Sequence, residues 1–289
     1  MRKRVYLPIV ILTIMGLLTL INRNSLKSLV NQRFPDTFSL DKIALDITED
    51  FPTFEMPNLS SMIQGPFYYL GAGGQAVAFE SEDHEYVLKF FLTKALHGNK
   101  KYPLPKPTHW ISSHKQKRQI QRKERKLRHL LFAMHSYAKA LPILKEKTGI
   151  LALQLRAQKG DLPIVLLYDK EKNKHLVDLN RASFVLQKKA ITVSQKFQES
   201  LSKEKKLELL RSLQNFFAER TLLGLIDLDK NILLGENYGF LGDLPIQFDV
   251  GKIVFNEQFK REPQEEIRRM QSIVRNWALE RNLPTQGLQ

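Results

Sequence analysis

Between Phe67 and Phe91 three short apolar runs, Phe67–Leu70, Val77–Glu80 and Tyr86–Phe91, stand a few residues apart, with Gly71-Ala72-Gly73-Gly74 between the first two. Aromatic and β-branched runs split by turn residues read as consecutive antiparallel strands. The next segment has a different period. From about Lys115 to Leu141 apolar residues recur at Ile120, Leu127, Leu131, Met134, Ala138 and Leu141, the three-and-four stepping of one helix face, and Pro142 ends it. Strands in series followed by one long helix make this an α+β chain.

The remaining segments extend that reading. Ile164–Tyr168 and His175–Leu179 form a hairpin around Lys170–Lys174, and Phe184–Gln187 is a further strand. A second amphipathic helix spans Lys203–Leu223 with Leu207, Leu210, Leu213 and Phe217 on one face, and a last helix runs from about Pro263 to Arg281. With 289 residues, 43% of them hydrophobic, the chain is long enough for two modest lobes; 14 glycines and 13 prolines exclude a fibrous or disordered composition. The absence of cysteine removes disulfides, thiolate zinc sites and thiol nucleophiles.

Charge divides the chain further. Gly98–Leu130 holds eleven Lys/Arg against Glu124 alone, so +10 of the net +15 lies there, whereas Asp36–Met62 is acidic and punctuated by proline. A basic run of this kind is a solvated helix face or a surface for an anionic partner. Nucleic acid is disfavoured, because too few aromatic side chains accompany the charge to form a stacking platform. At the N-terminus, Val5–Ile21 is uncharged and lies between Arg2-Lys3-Arg4 and Arg23. It reads as a single transmembrane anchor, since no small-x-small cleavage pattern follows it. Arg2, Lys3 and Arg4 are nearly balanced by Arg23, Lys27 and Arg33, which leaves the orientation open. The expected organisation is an anchor over 1–24, an acidic linker over 25–65, a first lobe over 66–190 and a second over 191–289.

Three motifs carry candidate chemistry. Gly71, Gly73 and Gly74 lie where backbone amides can approach a polyphosphate, or where a hairpin turn needs positive φ. Lys89, alone among Val87, Leu88, Phe90 and Phe91, either snorkels at a sheet edge or neutralises an anion. Asp249-Val250-Gly251 follows the apolar run Leu244–Phe248, as a turn or as a carboxylate presented to Mg²⁺. Glu124 fills the missing step between Ile120 and Leu127 on the long helix. It is therefore expected to face inward toward Lys89, or else to pair along the helix with Arg128 or Lys117. The histidines show no H-E-x-x-H spacing that would point to a metal-dependent hydrolase.

In this order the motifs resemble the protein-kinase-like fold, which includes the aminoglycoside-phosphotransferase-like enzymes, over about Phe67–Phe255. Leu70–Phe79 looks like the Gly-rich loop, with Ala76 at its third glycine, and Val87-Leu88-Lys89 looks like the V-A-I-K strand with Glu124 as its helix partner. Phe184–Gln187 falls where the family strand enters the hinge, which places Gln187 beside the nucleotide. Gly224–Asp229 resembles G-I-I-H-R-D, with Asp229 as catalytic base and Asp227 in the histidine position; Asp249-Val250-Gly251 resembles D-F-G.

The resemblance implies two lobes: an antiparallel sheet plus long helix first, then a small, mostly helical lobe, preceded here by one transmembrane helix. It implies ATP as cofactor, with Mg²⁺ held by Asp249 and either Asn231 or Asn237, of which Asn237 has the better spacing. Leu234 stands where the family's metal-binding Asn is expected, no A-P-E follows, and only 38 residues remain after Gly251. The expected activity is therefore phosphoryl transfer to a small-molecule or lipid-linked hydroxyl at the cytoplasmic face. The alternative is a pseudokinase or scaffold that binds anionic phospholipid through the basic helix.

Overall fold

The computed structural model describes residues 50–92, 113–156, 158, 160–228 and 234–289. Three strands come first, β1 (Phe67–Ala72), β2 (Ala76–Ser81) and β3 (Tyr86–Phe91), paired antiparallel in succession. The helix α1 (Ser113–Leu144) follows, then β4 (Ile150–Gln154), the hairpin β5 (Ile164–Tyr168) and β6 (Lys174–Asp178), and β7 (Phe184–Lys188). These strands make one mixed seven-stranded sheet in the order β4-β7-β3-β2-β1-β5-β6. The hairpin joins by running β5 parallel to β1, Tyr68 beside Tyr168.

After the two-residue strand β8 (Ile191–Thr192) and the short helix α2 (Val193–Lys196), the chain turns helical with α3 (Lys203–Leu222). Ser202 caps α3 by accepting the Lys205 N–H. Then come β9 (Leu225–Asp227), α4 (Leu234–Asn237), β10 (Tyr238–Leu241), β11 (Leu244–Gln247), β12 (Ile253–Phe255), α5 (Glu257–Arg261) and α6 (Gln264–Leu279). β9 pairs with β12, and β10 pairs with both β11 and β8, all antiparallel.

Alternation along the strands sorts the sheet's two faces. One face carries Phe67, Phe79, Leu88, Phe90, Val165, Leu167, Phe184 and Leu186, an apolar cluster that also takes in Leu59. The other face carries Phe91, Leu153 and Val185, which pack with Leu130, Met134 and Tyr137 of α1 and with Leu225, Val250 and Ile253. A third cluster joins α3 and α6 through Leu210, Leu213, Phe217, Met270 and Val274. The described part of the 25–65 stretch contributes to this packing: Phe51 and Leu59 are both buried.

α1 departs from expectation in two ways. It runs through Pro142 to Leu144. A proline this close to the end deletes one N–H bond and otherwise holds a helical φ, so the last turn closes around it. Its buried seam also runs Leu130, Ala133, Met134, Tyr137, Ala138, Ala140 and Leu144, while from Arg118 to His129 the described side chains are exposed apart from half-buried Leu127. Among the described residues no helix is long and apolar enough to cross a membrane, and Val5–Ile21 lies outside them.

Candidate functional site

Lys89 and the Asp249-Val250-Gly251 turn meet beneath the sheet. Lys89 lies opposite Ala78 on β2 and Val185 on β7, so its side chain leaves the face that packs against α1 and the turn. Its Nζ donates to the Phe248 carbonyl at 2.8 Å and lies 5.4 Å from the centre of the Phe248 ring. Burial holds the ammonium below the ordinary lysine range, and the Asp249 carboxylate pushes it back up. Asp249 is exposed, and its Oδ1 accepts the Gly251 N–H at 3.1 Å. An aspartate bonding the amide two residues on makes a tight turn and still has lone pairs on its second oxygen.

α1 fixes this turn from behind. Ser136 Oγ bonds the buried Val250 carbonyl and approaches the Ile253 carbonyl at 2.6 Å. Ala133 lies against Gly251, where an added Cβ would come within 3.5 Å of its own. Burial pushes the Tyr137 phenol well up, and the Asp249 charge adds to the shift. From above, Gln75 Nε2 reaches across to donate to the His129 carbonyl at 2.8 Å, and the Gln75 carbonyl accepts the Leu92 N–H at 2.7 Å. The glycine step, α1 and the Asp249 turn thus converge on one place.

The glycines there are not explained by backbone strain. None of Gly71, Gly73 and Gly74 has positive φ, unlike Gly149, Gly224, Gly242 and Gly287. A Cβ on Gly71 or Gly74 would meet nothing within 4 Å, and one on Gly73 only the Ala76 carbonyl at 3.9 Å. The turn explanation open at the sequence level therefore fails, because neither chain geometry nor packing requires glycine at these positions.

Glu124 does not join Lys89. It is exposed, and the charge beside Lys89 is Asp249. Packing gives the reason: among the described side chains α1 is buried only from Leu130 onward, and Glu124 lies before that point. Gln187 is buried on β7 opposite Val87, and its Oε1 has no hydrogen-bond partner. Asn237 is half-buried at the end of α4. Asp229 and Asn231 lie outside the described residues.

Asp227 ends β9 inside a buried polar network. Its Oδ2 accepts from Tyr238 Oη at 2.9 Å and from Gln247 Nε2 at 3.0 Å. Gln247 Nε2 also donates to the Asp249 carbonyl at 3.0 Å, which links the two acidic segments. Arg220, fully buried on α3, donates from one nitrogen to Tyr238 Oη and Gln247 Oε1, both at 2.9 Å. Arg220, Tyr238, Gln247, Ser136 and Gln75 did not emerge from the sequence patterns. A signal for Arg220 was present, since it continues the stripe Leu210, Leu213, Phe217 by a step of three.

Among the described residues no group of three or more His, Asp or Glu side chains is placed to hold a metal ion. Compared with known proteins, the chain matches no family model and no curated protein.

Proposed function

We propose that the segment from about Phe67 to Phe255 is a protein-kinase-like nucleotide-binding domain, held at a membrane by Val5–Ile21. In this reading it moves a phosphoryl group from Mg·ATP to a small-molecule or lipid-linked hydroxyl. The observation that carries the reading is the meeting of Lys89 with the Asp249 turn from a distant part of the chain: its Nζ donates to the carbonyl of Phe248, next to Asp249, at 2.8 Å beneath the sheet. The glycines at 71, 73 and 74 support it, because leaving space for a ligand's phosphates accounts for residues that neither φ nor packing requires. So does the order of three antiparallel strands, long helix and β7 leading into the helical part.

The roles follow. Backbone amides of 71–74 and Lys89 hold the phosphates, Gln187 lies under the base, and Asp229 orients the acceptor hydroxyl and takes its proton. Mg·ATP supplies the transferable group and the counter-charge to it. Asp249 offers a hard oxygen to the ion and Asn237 a second. With no larger carboxylate cluster among the described residues, the rest of the shell would be phosphate and water, as magnesium prefers.

A second reading has its own observation. Glu124 is exposed together with Arg118, Arg122, Arg125, Lys126 and Arg128, so Lys89 lacks a helix carboxylate and α1 presents a basic surface. This fits a non-catalytic domain that lies on anionic lipid. Incubating the full chain with γ-labelled ATP and phosphatidylserine vesicles separates the two. Label leaving ATP faster than with Asp249→Asn supports transfer. Flotation with the vesicles and no release above that variant supports the scaffold.

A further inference from the structure

The seven-stranded sheet ends on β6, a strand that among the described residues is paired on one side only. The hairpin's end bonds fix which of its backbone groups are spare. Asp169 N–H donates to the Asn173 carbonyl at 3.0 Å at the turn, and Leu179 N–H to the Pro163 carbonyl at 3.3 Å at the other end. Closely bonded pairs recur every second residue, so His175 and Val177 bond to β5. The N–H groups of Lys174, Leu176 and Asp178 and the C=O groups of Lys174 and Leu176 therefore point to the open edge, while the Asp178 C=O opens the 3-10 turn Leu179–Arg181.

The side chains of the same three residues share one face, beside Ile164, Leu166 and Tyr168 across the hairpin. At its centre that face is apolar and open, with Leu176 67% and Ile164 65% exposed beside half-buried Leu166, while Lys174 Nζ lies over the Tyr168 ring at 5.8 Å. Native edges are usually blunted by a charge that repels a second strand. Here the charges are arranged differently. Lys174 and Asp178 stand at equal distances on either side of Leu176, with opposite signs.

We propose that β6 is a self-recognition edge, and that two copies of this chain pair antiparallel about a two-fold axis at Leu176. That register sets Leu176 against Leu176 of the second copy, and Lys174 against its Asp178 in both directions. The two Leu176 residues then exchange both backbone bonds, and each Asp178 N–H donates to the Lys174 carbonyl of the other copy, which is the pattern the hairpin leaves available. The exposed apolar strip of one hairpin continues into that of the other, and both open edges close. An unrelated strand meets an unmatched charge at one end. Asp178 can serve in this, since only its Oδ1 is committed, accepting from Asn180.

The absence of cysteine gives a direct test with the full chain in non-ionic detergent. In the proposed register the two Leu176 Cα atoms lie about 5.5 Å apart, within the reach of a disulfide. Leu176→Cys should become a covalent dimer on mild oxidation. Glu171→Cys, at the turn and roughly 30 Å from its counterpart, should remain monomeric. Lys174→Glu and Asp178→Lys should each weaken the dimer seen by sedimentation by roughly tenfold. An equal mixture of the two variants should restore it. The glutamate introduced in one then faces the lysine introduced in the other, and the remaining pair is the native Asp178 with the native Lys174. A wild-type monomer, no cross-link through Leu176→Cys, or a mixture no tighter than its components would overturn the proposal.

Discussion

Lys89 carries the chemistry only if its charge survives burial, and Asp249 is what sustains it. Removing that carboxylate should lower the lysine's titration further. Lys89 binds its proton less firmly folded than unfolded, so the charged form costs stability below its folded pKa, and this cost fades as pH rises toward the ordinary lysine value. Asp249→Asn should therefore be less stable than wild type near pH 7, with the gap closing toward pH 10; denaturant midpoints at both pH values check this. Gly73→Ala probes the loop separately. Its new methyl meets only the Ala76 carbonyl at 3.9 Å, so stability should change by less than about 0.5 kcal/mol. Nucleotide affinity should fall all the same, which thermal melts with and without Mg·ATP would show. Glu124 and Arg220 show where residue-level reading works. Both sit on an apolar stepping in the sequence, yet only Arg220 is buried, because α3 is packed from Leu209 to Thr221 and the described side chains of α1 only from Leu130 onward.

α1 is the element that ties the sheet to the Asp249 turn. Ser136 supplies a hydroxyl that faces the Val250 and Ile253 carbonyls. Ser136→Ala removes that hydroxyl and leaves the Val250 carbonyl only the long Ile253 N–H bond at 3.3 Å, which should cost about 1–3 kcal/mol, measured by chemical denaturation, with weaker nucleotide binding alongside. β1–β3, the β5–β6 hairpin, β7 and α3 were legible from their periods to within a residue or two. β4 was not. Ile150–Gln154 is buried on nearly every residue, so its run lacks alternation and carries no strand signal of its own. The parallel docking of β5 on β1 was equally hidden, since it depends on a long-range register that no local pattern encodes.

At the scale of the whole molecule, the site is built from segments far apart in sequence: β1–β3 above, α1 behind, and the turn after β11 below. The motifs could be read one by one, but their convergence follows only from the packing of Val250 and Ile253 against α1 and Val185. The Asp227, Tyr238, Gln247 and Arg220 network holds β9, β10 and β11 in one block and reaches the site through the Asp249 carbonyl. Arg118, Arg122, Arg125, Lys126 and Arg128 are exposed on α1, whereas Lys89 bonds the Phe248 carbonyl beneath the sheet, so membrane contact and nucleotide binding should be separable by mutation. The most direct measurement is calorimetric titration of Mg·ATP into the full chain, alongside Lys89→Met and Asp249→Asn. Saturable binding to the wild type that both substitutions abolish is the expected result. No binding, or binding that neither substitution changes, would contradict a nucleotide site at Lys89 and Asp249.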